Sequence, residues 1–217
     1  MAKRKVVLGE RGATKAELIR TAALRLFLEK SYDTVSIDLI AATAGVSKAT
    51  VYAHFAGKEA LFTEIFNMRC AEMTDRIHVP EVFEGDVEGT LMAIARDFVA
   101  LFLEEEGVAL YRLLVGEAHR FPEIARRFDV PGPGDAGGRL VGLIGQMTEA
   151  GALAVDDVEI ATDELVSLLL GRVPFGQALG LMRPSAEEIE RRIASAVRLF
   201  VAGYAGAGVA GRRPPTR

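Results

Sequence analysis

Apolar residues return along most of this chain at intervals of three and four, the period of a helix with one buried face. Between residues 14 and 30, Leu18, Ala22 and Leu26 with Ile19, Ala23 and Phe27 form such a face. Thr14 followed by Glu17 reads as the capping box that starts this helix. The next two pieces are short. Ile37, Ile40 and Ala41 share a face behind Ser36, whose hydroxyl can cap the helix start. Gly45 breaks that piece, where a residue without Cβ reaches a left-handed backbone most easily. Ser47 caps a second piece that turns Val51 inward and closes at Phe55. Helix, a turn containing glycine, then helix is the helix-turn-helix pattern.

Longer helices follow. Lys58 opens one that runs to about residue 77, with Leu61, Phe62, Ile65 and Phe66 inward. After a loop over 80–86, helical spacing resumes over about 87–105, through Leu91, Ile94, Ala95, Phe98 and Phe102. Glu104, Glu105 and Glu106 before Gly107 read as its solvated end. A helix over about 108–120 carries Tyr111, Leu114 and His119, and Pro122 stops it and can begin a short helix through Phe128. Residues 131–138, PGPGDAGG, are the plainest connector in the chain. The helix over about 138–150 turns Leu140, Leu143, Ile144 and Met147 inward. Its Gly142 and Gly145 suggest close helix packing or a cavity wall. Asp156 with Glu159 caps a helix over about 157–170, and Gly171 to Pro174 should kink or restart it. Ser185 with Glu188 caps a last helix over about 186–204, striped with Ile189, Ile193, Val197, Phe200 and Tyr204. No strand pattern competes, so the expected fold class is all-α.

Composition supports that expectation. The chain has 217 residues, half of them hydrophobic, and no tryptophan. One cysteine, Cys70, excludes an internal disulfide and offers no metal pattern, which fits a reducing cytoplasm. No signal peptide is visible at the basic start. The most apolar stretch, 165–182, is interrupted by Arg172 and Pro174, so no membrane span is expected. Charge changes the picture more. The net charge is −4, yet residues 1–60 hold ten Lys/Arg against six Asp/Glu, and the remainder holds sixteen against twenty-four. No lysine follows Lys58. A basic front on an acidic body is the asymmetry of a protein that meets phosphate at one end.

The second helix of the motif presents Lys48, Thr50, Tyr52 and His54, all donors or mixed donor–acceptors, with no carboxylate among them. A helix that enters a DNA groove needs such side chains, cations and hydroxyls for phosphates and polar tips for base edges.

These residues carry a denser match. Phe27, Tyr32, Val35-Ser36, Ile40-Ala41, Ala44-Gly45-Val46-Ser47, Lys48-Ala49-Thr50, Val51-Tyr52-Ala53-His54-Phe55, Gly57-Lys58-Glu59 and Leu61 follow one pattern in order. Through them, residues 14–62 resemble the DNA-binding domain of TetR-family transcriptional regulators. Ser31, Ala49 and Gly57 depart from it, where Gly, Gly and Ser are usual. Residues 110–128 more loosely resemble the AefR-like branch in its C-terminal domain.

The resemblance implies a domain plan: a flexible basic arm at 1–13, a helix-turn-helix domain at 14–60 with its motif at 36–55, a helical effector-binding and dimerisation domain at 61–204, and a disordered tail at 205–217. It also implies site residues. Ser36, Ser47, Lys48, Ala49, Thr50, Tyr52, His54 and Lys58 are the expected DNA-binding set, with Thr50, Ala49 beside it and Tyr52 toward bases, and Tyr52 again with the rest mainly on phosphates. Phe98, Phe102, Tyr111, His119, Met147 and Phe175 are candidates for an apolar ligand pocket. Gly176, Gly180, Ile189, Ile193, Val197 and Phe200 are candidates for a homodimer interface on the last two helices, which in the family form a four-helix bundle across a two-fold axis.

The function expected is a dimeric, sequence-specific regulator in the cytoplasm. It would most naturally be a repressor released from a double-stranded operator by a small apolar or aromatic effector. A regulator without an effector is the alternative. An enzyme is far behind: His54, His78 and His119 form no metal-binding or catalytic spacing, so no catalytic residue, metal or cofactor is expected.

Overall fold

The computed structural model describes residues 13–124 and 136–205, and every described element of length is helical. The expected arm at 1–13 and tail at 205–217 fall almost wholly outside these residues. So do the second half of the short helix toward Phe128 and the first part of the 131–138 connector. The chain divides into two units, one ending at Met68 and one beginning at Arg69.

The first unit begins with α1 (Lys15–Glu29), whose start is closed by the expected capping box. The Thr14 hydroxyl accepts from the Glu17 N–H at 3.2 Å, and the Thr14 N–H donates to the Glu17 carboxylate at 2.6 Å. A helical turn (Tyr32–Thr34) leads to α2 (Ile37–Ala44) and α3 (Lys48–His54), followed by the first part of α4 (Lys58–Thr74). Ile19, Ala23, Phe27, Tyr32, Ile40, Val51, Leu61 and Phe62 are buried together in this unit. Phe27, Tyr32 and Phe62 meet pairwise, with ring centroids 5.0–5.7 Å apart. Leu18 departs from expectation at 41% exposed. At about 100° per residue it lies on the far side of Ala22 from Ile19, Ala23 and Phe27, at the rim of the face rather than within it.

The second unit contains α5 (Val87–Leu103), α6 (Glu105–Glu117), α7 (Ala136–Glu149), α8 (Val158–Leu170), the short α9 (Val173–Ala178) and α10 (Ala186–Gly203). Helix α5 is central and packs on α6, α8, α9 and α10; α10 also packs on α8, and α7 on α8. The core joins Leu91, Ile94, Leu143, Ile144, Met147, Leu165, Ile193, Val197 and Phe200. Gly171 and Pro174 do restart the chain, with Pro174 in the first turn of α9. The N-cap of α8 is Asp157, accepting from the Ile160 N–H at 3.0 Å, rather than Asp156.

Two readings of the body are corrected. Only Glu104 closes α5; Glu105 and Glu106 open α6, where acids complement the positive end of the helix dipole. Nor are Glu104 and Glu106 merely solvated, since Arg76 pairs with Glu104 and Arg69 with Glu106 and Glu72. Gly107 lies inside α6. A Cβ there would sit 1.7 Å from the Leu101 carbonyl oxygen, so the glycine lets α6 start against the end of α5. By contrast, a Cβ on Gly142 or Gly145 would meet nothing within 4 Å, and these two glycines mark no close packing among the described residues.

Candidate functional site

The two helices of the motif are set by three local devices. Ser36 accepts from the Leu39 N–H at 3.1 Å and starts α2. Gly45 ends α2 at φ 69°, a left-handed conformation that other residues adopt only with strain. Ser47 accepts from the Thr50 N–H at 3.1 Å and starts α3. Val51, fully buried, and Phe55 hold α3 against the domain from behind. The opposite side of α3 is therefore outward by construction. Lys48, Ala49, Tyr52, Ala53 and His54 are exposed there, with Thr50 half-buried.

Of the eight expected DNA-binding residues, the structure thus brings Ser36, Ser47, Lys48, Ala49, Tyr52 and His54 to the surface of the first unit. Thr50 and Ser47 also share a hydroxyl–hydroxyl hydrogen bond of 2.8 Å, which orients the Thr50 side chain along the start of α3. Lys58 is placed differently. Its ammonium donates to the Tyr32 carbonyl at 2.9 Å and lies 4.0 Å from the centre of the Tyr32 ring. That contact ties the start of α4 to the turn before α2. Arg20 donates to the Glu64 carboxylate at 2.7 Å and lies 5.5 Å from the centre of the Phe55 ring.

One charged residue of the surface escaped the sequence reading. Asp38, in the first turn of α2, accepts from the Lys48 ammonium at 3.0 Å. That hydrogen bond and the carboxylate charge raise the Lys48 pKa above the usual lysine range. The helix carries no acid of its own, but one is delivered to it by its neighbour. An acid in the first turn of a helix is ordinarily read as complementing the helix dipole, and the ten-residue separation gives no helical spacing to reveal the pair.

In the second unit the six pocket candidates separate. Phe98, Phe102 and Tyr111 come together as a chain of edge-on rings, with centroids 5.4 and 6.5 Å apart. Met147 is fully buried in the helical core. His119 is exposed beyond the end of α6, and Phe175 is 58% exposed. Helix α9 has barely two turns, and it buries Val173, Pro174 and Gly176, which leaves Phe175 outward. His119 and Phe175 therefore line no interior formed by the described residues.

The dimer candidates are corrected more thoroughly. Ile189, Ile193, Val197 and Phe200 are buried within the one chain, where α10 packs on α5 and α8. Gly176 lies under Met182, whose Sδ would be 2.3 Å from a Cβ, and Gly180 ends α9's turn at φ 71°. The stripe and both glycines thus serve the fold of this unit. One outward row on α8 is Ile160, Glu164, Ser167 and Leu168, and one on α10 is Arg192, Ser195, Leu199 and Ala202. Each set follows helical spacing. Arg112 of α6 also went unnoticed in the sequence; its guanidinium donates to the carbonyls of Ala178 at 2.6 Å and Gln177 at 3.1 Å, closing the end of α9.

Known proteins place this arrangement. Residues 19–65 match the family described as bacterial regulatory proteins, tetR family, and residues 89–206 match the AefR-like transcriptional repressor, C-terminal domain. A solved TetR-family regulator from Mesorhizobium loti MAFF303099 is 31% identical with a TM-score of 0.76, covering 91% of this chain and all of that one. The solved Flavonoid-responsive Regulator FrrA is 34% identical with a TM-score of 0.75, covering 88% of this chain and 97% of that one. The HTH-type transcriptional regulator YdeS of Bacillus subtilis (strain 168) is 33% identical over 48% of this chain and 50% of its own length. The chain spans about half the length of the curated relatives it matches. Proteins of this kind are transcriptional regulators rather than enzymes, and among the described residues no helix is long and apolar enough to cross a membrane. With both its helix-turn-helix segment and its helical body matched, this chain belongs to the TetR family of transcriptional regulators, with a C-terminal domain of the AefR-like kind.

Proposed function

We propose that the protein is a cytoplasmic, homodimeric repressor that binds a near-palindromic operator through α3 and leaves it when a small aromatic or apolar molecule binds the second unit. The observation that carries this reading is the outward side of α3. Its buried Val51 and its Ser47 cap turn Lys48, Ala49, Tyr52 and His54 together to solvent, in a basic segment of an otherwise acidic chain. Lys48, His54 and the hydroxyls of Ser36 and Ser47 would hold phosphates, which fix register without reading sequence. Ala49, Thr50 and Tyr52 would meet base edges or thymine methyls. Lys58 would act by holding the start of α4 to the Tyr32 turn, with any phosphate contact shared with that carbonyl.

A helix of seven residues reads only a few base pairs, so selectivity calls for two copies on half-sites ~34–36 Å apart or a multiple of that spacing. The outward rows of α8 and α10, with Ile160, Leu168 and Leu199, are the surface a second copy would cover. The name of FrrA, 34% identical, describes it as flavonoid-responsive. The ring chain of Phe98, Phe102 and Tyr111 is chemistry that stacks on a planar aromatic molecule of that class. An effector acts by preferring the conformation that does not bind DNA.

Selection of bound sites from random duplex DNA, with purified protein at stated salt, tests the whole reading. An inverted repeat is expected, and its recovery should fall when a flavonoid panel is added. Only salt-sensitive, sequence-independent binding would overturn operator recognition. An inverted repeat whose recovery no aromatic compound affects would leave a regulator without the proposed effector.

A further inference from the structure

We propose that Asp38 sets the DNA affinity of the helix-turn-helix by competing with phosphate for the Lys48 ammonium. The inference rests on the reading of α3 as the DNA-facing helix. Lys48 is the cation on that helix, and its Nζ lies 3.0 Å from the Asp38 carboxylate. Both side chains are open to solvent, at 53% and 69% exposed. The pair therefore sits where a phosphate would arrive, and not in the interior where it would serve packing.

Each lysine that neutralises a phosphate releases a condensed counterion, and this release dominates binding to DNA of any sequence. A lysine already neutralised by a carboxylate releases fewer. The DNA must displace Asp38, and the displaced carboxylate then faces a polyanion at close range. The acid thus acts twice against binding, once by occupying the ammonium and once by like-charge repulsion. Because phosphates carry no sequence information, the penalty falls equally on operator and random DNA. A regulator that must search a genome gains from such a restraint, since it shortens residence on random DNA. If Asp38 instead oriented Lys48 for a contact in the groove, removal of the acid would weaken binding.

The test is titration of a selected operator duplex and a random duplex with the wild-type protein, Asp38→Asn, Lys48→Gln and the double variant, over a range of salt. Asp38→Asn is expected to tighten binding to both duplexes by about two- to five-fold at low salt, the worth of an exposed ion pair. The slope of log affinity against log salt should steepen by about 0.9, one further phosphate contact. In the Lys48→Gln background the part of that gain that comes from freeing the ammonium should vanish, leaving only the smaller part due to repulsion. Weaker or unchanged binding by Asp38→Asn would overturn the proposal, as would an undiminished gain without Lys48. Asp38→Ser removes the same charge and repeats the test should the asparagine variant melt below the assay temperature. Absence of DNA binding by the wild-type protein would instead strike the reading of α3 itself, so the two failures are distinct.

Discussion

Gly107 shows how much a single hydrogen atom can decide. A Cβ at this position would lie 1.7 Å from the Leu101 carbonyl oxygen and 3.2 Å from Cε of Met73. The first neighbour is backbone and cannot step aside, so Gly107→Ala must push the start of α6 away from the end of α5. Overpacking of this kind costs roughly 1–3 kcal/mol, and a urea melt of the variant should show its midpoint moved down with an unchanged slope. An unmoved midpoint would mean that the two helix ends shift apart freely. In the sequence this glycine looked like a helix terminator, because glycine's backbone freedom is visible there and a close approach is not. Asp38 was hidden for a related reason. Local spacing reveals partners three or four residues apart on one helix, while Asp38 and Lys48 meet only after the Gly45 turn brings two helices together. Gly45 itself was legible, since its left-handed φ of 69° is a local requirement of the turn.

The two capping boxes were the most legible elements of all. The capping boxes of α1 and α10 are written in four residues each, and both form as read. In α10 the Ser185 hydroxyl accepts from the Glu188 N–H at 3.2 Å, and the Ser185 N–H donates to the Glu188 carboxylate at 2.8 Å. The backbone hydrogen bond from Ser185, then the one from its hydroxyl, hold the Glu188 carboxyl below the usual glutamate range. A carboxyl whose pKa is lower folded than unfolded stabilises the fold fully above the unfolded value of about 4.3 and loses that effect as pH falls through the folded value. Thermal melts of the wild-type protein and Glu188→Gln should therefore differ most near neutral pH and converge as pH falls below about 4. A gap that stayed constant or widened in acid would remove Glu188 from the cap. Ser185→Ala should cost about 1 kcal/mol at neutral pH. Which side of a helix is buried was less legible than where it begins. The stripe of α10 was visible as apolar, but its partner was not, because a buried face reads the same whether it packs on its own chain or on another.

At the scale of the molecule, that ambiguity becomes a testable division of labour along α10. Ile193 is 2% exposed and packed in the core with Leu165 and Val197, whereas Leu199, six residues further along and turned to another side of the helix, is 61% exposed. A charge at Ile193 would be buried without a partner, a penalty of several kcal/mol, set against a total stability of about 5–15 kcal/mol for a domain. Ile193→Asp is therefore expected to unfold the second unit rather than to release a folded monomer. Leu199→Asp places its charge in water within the single chain and should leave the helical circular dichroism spectrum unchanged, with the melt lowered only by the loss of any dimer. If the outward rows of α8 and α10 face a second copy, that same charge is buried in the dimer, and sedimentation velocity should report monomers at micromolar concentration. Operator affinity would fall with it, since each head alone holds one half-site. A Leu199→Asp protein that remains dimeric would move the interface elsewhere on the second unit, with the exposed Phe175, Leu179 and Leu181 as the next apolar surface to probe. The basic front of the chain would be unaltered by either substitution. A folded Leu199→Asp monomer should thus keep its weak, salt-sensitive binding to random DNA while losing the operator, which separates the contribution of charge from that of paired geometry.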